Sequence, residues 1–144
     1  MRISELIKNR ETYFVQAGQS VLEAARWMVE RNVGALPVLD GGRLVGIFSE
    51  RDIMKRVVAE GRDPARTRVA DVMTAEPLVV APDDDVQHCM VLMKQHGFRH
   101  LPICDEDRKL AGLVSLRDML LHEVSEKDGE VQMMRAYIGA GPME

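Results

Sequence analysis

A chain of 144 residues that is 46% hydrophobic and 29% charged can enclose one or two small cores, which excludes a large multidomain enzyme. Nineteen Lys and Arg against 23 Asp and Glu give a net charge of −4, the wrong sign for phosphate backbones or anionic lipid, so no nucleic acid and no membrane is expected as partner. Two cysteines, Cys89 and Cys104, are too few for a disulfide framework, no basic-then-apolar leader opens the sequence, and no apolar run approaches the roughly 20 residues that span a bilayer; a soluble, cytoplasmic chain is expected.

In chain order, Val21, Ala24, Ala25 and Met28 recur at three- and four-residue spacing and predict an amphipathic helix with a core-facing stripe. Residues 36–39 and 44–48 are short apolar runs flanking Asp40-Gly41-Gly42-Arg43, which predicts a hairpin. A helix follows over about residues 50–60, closed by Gly61. The polar, Pro-containing stretch 62–68 reads as a linker. The same order then returns. Val86, Cys89, Met90 and Met93 form a helical stripe, residues 101–104 and 110–114 a hairpin, and residues 116–127 a helix fading at Asp128-Gly129. Residues 131–138 predict a separate short helix in the tail.

The return is an internal repeat. Val21 to Met28 aligns with Val86 to Met93 at an offset of 65, which also superimposes Leu36-Pro37-Val38-Leu39-Asp40 on Leu101-Pro102-Ile103-Cys104-Asp105. After one inserted turn residue, Gly46-Ile47-Phe48-Ser49-Glu50-Arg51-Asp52 aligns with Gly112-Leu113-Val114-Ser115-Leu116-Arg117-Asp118. Even the segments before each unit, residues 2–7 and 68–73, correspond. The reading is an α/β (α+β) chain of two βαββα units: residues 1–61 with the N-terminal segment, linker 62–68, second unit 69–127, tail 128–144. Units of this size leave a sheet face unpartnered, so they are expected to pack on each other by a pseudo-two-fold, with related clefts at the seam.

The repeated Gly-x-x-Ser-x-x-Asp segment sits where a strand turns into a helix. Glycine there admits a close neighbour, the hydroxyl and first-turn N–H groups suit an anion, Arg adds charge, and the acid can accept two hydrogen bonds from a ribose diol. The same Ser-x-x-Asp is also a helix capping box, with Ser49 and Ser115 as N-caps. Capping accounts for Ser and Asp without any ligand, and both readings stand at this point.

With its two Leu-Pro strands and two Gly-h-h-Ser-x-x-Asp segments, h being apolar, the chain resembles the stand-alone pair of cystathionine-β-synthase (CBS) domains, the Bateman module. The resemblance covers nearly the whole chain. It implies clefts that take adenosine compounds (AMP, ADP, ATP, NAD or S-adenosylmethionine) as regulatory ligands and frequent pairing into a homodimer. Carried over by position, Asp52 and Asp118 look like ribose acids, Ser49 and Ser115 like hydroxyls near ribose or phosphate, and Ile47 and Leu113, after Gly46 and Gly112, like parts of the adenine slot. The resemblance further implies that Asp52 faces Pro77 to Val79 with Arg99 and His100, and that Asp118 faces Thr12 to Phe14 with Gly34 and Ala35, beside Pro37. Arg99 and His100, with Arg117 reaching across, would then give the Asp52 cleft its phosphate preference, leaving Arg51 as the nearest cation for a weaker, less phosphate-dependent Asp118 cleft.

Cys89, His96, His100 and Cys104 lie close in sequence but carry no CxxC or HExxH spacing, and the cysteines align with Ala24 and Leu39; they read as core residues, not as metal ligands or a catalytic pair. No catalytic residue and no catalytic cofactor is assigned. The expectation is a non-enzymatic signal-transduction module that binds an adenine nucleotide and passes occupancy to a partner protein or its own oligomer, the alternative being a dimerisation or docking scaffold with vestigial clefts.

Overall fold

The computed structural model describes residues 1–137. The two apolar stripes form matching helices. In α2 (Val21–Arg31) the Ser20 side chain accepts from the Glu23 N–H, Asn32 ends the helix in the left-handed region, and Val21, Ala24 and Met28 are buried. In α5 (Val86–His96) Gly97 ends the helix at φ 69°, and Val86, Cys89 and Met93 are buried. Cys89 therefore fills the place of Ala24 in the repeat.

Each unit also builds a hairpin. Strands β2 (Ala35–Asp40) and β3 (Arg43–Ser49) are joined by Gly41 and Gly42 at φ 59° and 83°, the paired positive φ that a tight two-residue hairpin needs. Strands β5 (His100–Cys104) and β6 (Leu110–Ser115) are joined by a longer turn. The antiparallel register slips at matching places, Val38/Leu39 and Ile103/Cys104. Strand β1 (Val15–Gln16) runs parallel to β2, and Val80 makes the equivalent parallel bridge to Ile103.

The short segments before the units are exchanged. Helix α1 (Ile3–Leu6) precedes the first unit yet packs on the second: Ile3 is fully buried among Val80, Val86, Cys89, Leu101 and Val114, and its N–H donates to Asp84 O. Helix α4 (Val69–Val72) precedes the second unit yet packs on the first, with the Val69 N–H donating to Gln19 O. After α4, β4 (Thr74–Ala75) pairs with the edge of β3 and completes a sheet of order β1-β2-β3-β4. At the corresponding edge of β6 lie Arg10 and Thr12, whose side chains donate to the carbonyls of Leu113 and Ala111. A third small cluster of Leu39, Leu44 and Cys104, with Val79 and Leu110, joins the two hairpins. Neither unit closes its core without a segment that the other's side of the chain supplies.

Two helices differ from expectation. The first unit's second helix starts as α3 (Glu50–Asp52) but continues as a π-helical segment, Ile53–Val58, with the Ala59 N–H donating to Met54 O; a π turn inserts a residue and has no periodicity signal. The second unit's helix does not fade at Asp128-Gly129: α6 runs unbroken over Leu116–Tyr137. One glycine in a helix costs only about 1 kcal/mol, so the expected separate tail helix is the continuation of α6. Ile138, the last residue of that expected helix, lies outside the described residues.

Candidate functional site

Both Ser-x-x-Asp segments are capping boxes in the structure. The Ser115 N–H donates to Asp118 Oδ2 at 2.8 Å while the Asp118 N–H donates to Ser115 Oγ at 3.1 Å. The Ser49 N–H donates to Asp52 Oδ2 at 2.9 Å and the Asp52 N–H to Ser49 Oγ at 3.2 Å. In each acid, Oδ2 is committed to the helix start. What distinguishes the two is the partner of Oδ1.

Asp118 opens onto a cavity of about 840 Å³ at the seam of the two units, within the range of small-molecule sites. Both hairpins start there, because the first residue of β5 pairs with the last of β6 (His100 with Ser115) and the first of β2 with the last of β3 (Ala35 with Ser49). The cavity thus unites Gly112, Leu113, Ser115, Arg117 and Asp118 with Arg99 and His100 from the second unit, Gly34 and Ala35 from the first, and Thr12 and Tyr13 from the N-terminal segment. Arg10 reaches in from the same segment: Nη1 donates to Asp118 Oδ1 at 2.8 Å, Nη2 to Asp118 Oδ2 at 3.2 Å and to Leu113 O at 2.7 Å. Burial would raise the Asp118 pKa, but the hydrogen bonds from Arg10 and Ser115 outweigh it and hold the carboxyl below the usual range. Burial lowers the His100 pKa despite the nearby Asp118 and Glu50. The result is an apolar slot with a fixed carboxylate and several cations at its rim.

Asp52 lies in different surroundings. It is only 7% exposed, its Oδ1 accepts from the Thr74 hydroxyl at 3.2 Å, and Arg56 stands 3.9 Å away while donating to the carbonyls of Val72 and Met73. Gly46 is pressed by its neighbours, for a Cβ there would overlap Met73 Sδ and lie 2.8 Å from Thr74 O. The close approach that glycine permits is therefore made by the α4–β4 segment. Arg99 and His100 do not turn toward Asp52, as the resemblance implied; the β5–β6 pairing and a 2.7 Å bond from the Leu116 N–H to Arg99 O hold them beside Asp118. Gly46, Ile47, Ser49, Arg51, Asp52, Pro77, Val79, Phe14 and Pro37 do not line the Asp118 cavity. Arg51 is exposed, Pro37 is buried in β2, and Val79 packs against the cluster between the hairpins.

The CBS domain profile matches residues 3–59 and again 69–125. This chain belongs to the CBS domain family. Among its relatives, the mitochondrial CBS domain-containing protein CBSX3 of Arabidopsis thaliana is 36% identical over 127 residues, 85% of this chain and 61% of that protein. A solved putative signal-transduction protein with CBS domains from Burkholderia ambifaria is 35% identical with a TM-score of 0.80, covering 87% of this chain and 95% of its own. The structure of CBSX2 in complex with AMP is 26% identical with a TM-score of 0.74, covering 88% and 98%. Solved CBS pairs, then, include one holding an adenine nucleotide.

In this CBS pair the residues that sequence reasoning missed are Arg10 and Glu50. Glu50 sits in the middle of the repeated motif and was passed over as a helix-start residue; its carboxylate would lie 3.0 Å from a Cβ placed on Gly34. Arg10 lies two residues before the expected Thr12 to Phe14 contact, and a cation so near that contact was the available signal. The cysteines are buried and free, and burial, with Asp84 and Asp85 nearby, lifts the Cys89 thiol to about 11. Such a thiol is almost wholly protonated at neutral pH and is a poor nucleophile or metal ligand. Among the described residues no helix is long and apolar enough to cross a membrane.

Proposed function

We propose that this CBS pair is a regulatory, non-catalytic module that binds one adenosine-containing nucleotide in the Asp118 cavity. The observation that carries the reading is the convergence, in one cavity, of a hydrogen-bonded carboxylate, an apolar slot beside Leu113 and Ala35, and the cations Arg10, Arg99 and Arg117. The base suits the slot, the ribose diol suits Asp118, and phosphate suits the arginines. The AMP complex of CBSX2 supports the adenosine class. Because both units and the N-terminal segment line the cavity, a ligand there bears on all three, and it shifts an equilibrium in so far as it binds one arrangement better. The recipient of the signal is a partner protein or a second copy in a homodimer.

A thermal-shift panel of the nucleotide-stripped protein tests this. AMP, ADP, ATP or NAD at a hundred times its dissociation constant should stabilise the fold by about 2.7 kcal/mol, with no shift from GMP. A folded, stripped protein that shifts with none of them would overturn the reading. It would favour the docking scaffold, for which Leu120, Leu121, Val124, Val131, Met133 and Met134, 46–74% exposed along α6, supply an apolar surface.

A further inference from the structure

Asp118 presents one face to the cavity, and Arg10 holds it. The guanidinium makes the two-pronged contact with Oδ1 and Oδ2 and adds a third bond to Leu113 O. A ribose diol is also a two-pronged donor, and it would need the same two oxygens, because the Ser115 N–H already takes part of Oδ2. Diol and guanidinium therefore compete for one carboxylate. Asp52 has no such competitor, since its Oδ1 takes a neutral hydroxyl and its nearest cation is 3.9 Å away.

Resting on the nucleotide reading above, we infer that Arg10 is a specificity-determining residue that selects phosphorylated adenosine ligands over neutral nucleosides. A neutral nucleoside that seats its diol on Asp118 takes away the carboxylate that Arg10 is bonded to and brings no anion of its own. A nucleotide brings one, and the displaced guanidinium exchanges a carboxylate for a phosphate. Arg99 and Arg117 line the same cavity and add to phosphate affinity, but neither competes for the diol face, so only Arg10 weakens nucleoside binding. The Arg10 side chain is 42% exposed, and water compensates part of its loss, which limits the selection to about tenfold rather than thousandfold. Arg10 lies in the segment that follows α1, so its release removes one tie between that segment and β6 and leaves the Thr12 bond to Ala111 O and the Ile7 contact with Gly112 in place.

The test measures dissociation constants of adenosine and AMP for wild type, Arg10→Ala and Arg10→Gln by calorimetry, with circular dichroism confirming the fold. The glutamine variant keeps a donor for Leu113 O. Both variants should bind adenosine about tenfold more tightly than wild type, while AMP changes by less than about threefold, so that the AMP-over-adenosine ratio falls about tenfold. AMP binding in wild type with an unchanged ratio in both variants would overturn the role of Arg10 and leave the site standing. Failure of wild type and both variants to bind either compound would overturn the site and the selection together.

Discussion

The two units of this CBS pair carry the same seven-residue motif at matched places, and the motif does different work in each. Both acids cap a helix with Oδ2. In the first unit Oδ1 is turned inward to Thr74, under the α4–β4 segment that pairs with β3. In the second, no strand corresponding to β4 pairs with β6 among the described residues; Arg10 and Thr12 bond to its edge by their side chains, and Asp118 faces a cavity. A motif specifies a local conformation; whether it also forms a site depends on what the rest of the chain lays over it.

The largest expected effect that sharpens this contrast is Asp118→Asn. Losing charged acceptors for a ribose diol should weaken AMP on the order of a hundredfold by calorimetry, since such bonds contribute about 1.5–3 kcal/mol each. An affinity within a few fold of wild type would place the ligand elsewhere. Asp52→Ala should do the opposite: it breaks the capping box at Ser49 and removes the buried carboxylate that Thr74 donates to, lowering stability by about 2 kcal/mol in urea melts while leaving AMP affinity within about twofold.

The two motif glycines divide along the same line. Gly46→Ala must push aside Thr74 backbone and should cost about 2 kcal/mol, as overpacking does. Gly112→Ala meets only the flexible end of Ile7 and should cost about 1 kcal/mol; equal losses in chemical denaturation would break the distinction.

The smallest effect is with pH. The folded pKa of His100 is lowered by burial, so as pH falls below about 6.5 the unfolded chain takes up this proton first. Stability should decline from there to the folded pKa and be independent of His100 above that window. His100→Asn should flatten this part of the pH–stability curve, and an unaltered slope would contradict the assignment.

Much of this was legible in the sequence because it is periodic. The stripes of α2 and α5, the Gly41-Gly42 hairpin and the 65-residue repeat depend on local geometry that residue spacing encodes. The exchange of α1 and α4 between units was not legible, since Ile3 and Val69 are equally apolar whichever core receives them. Arg99 and His100 were expected to face Asp52 across the seam, yet they lie next to Asp118 because β5 pairs with β6 of its own unit. Arg10 was missed for a related reason: its partner Asp118 is 108 residues away, and no spacing rule reaches that far.

The most direct measurement is calorimetric titration of AMP into wild type, Asp52→Ala and Asp118→Asn under one buffer. The account predicts one binding event per chain in wild type, kept in Asp52→Ala and lost in Asp118→Asn. Loss in Asp52→Ala with retention in Asp118→Asn would contradict it.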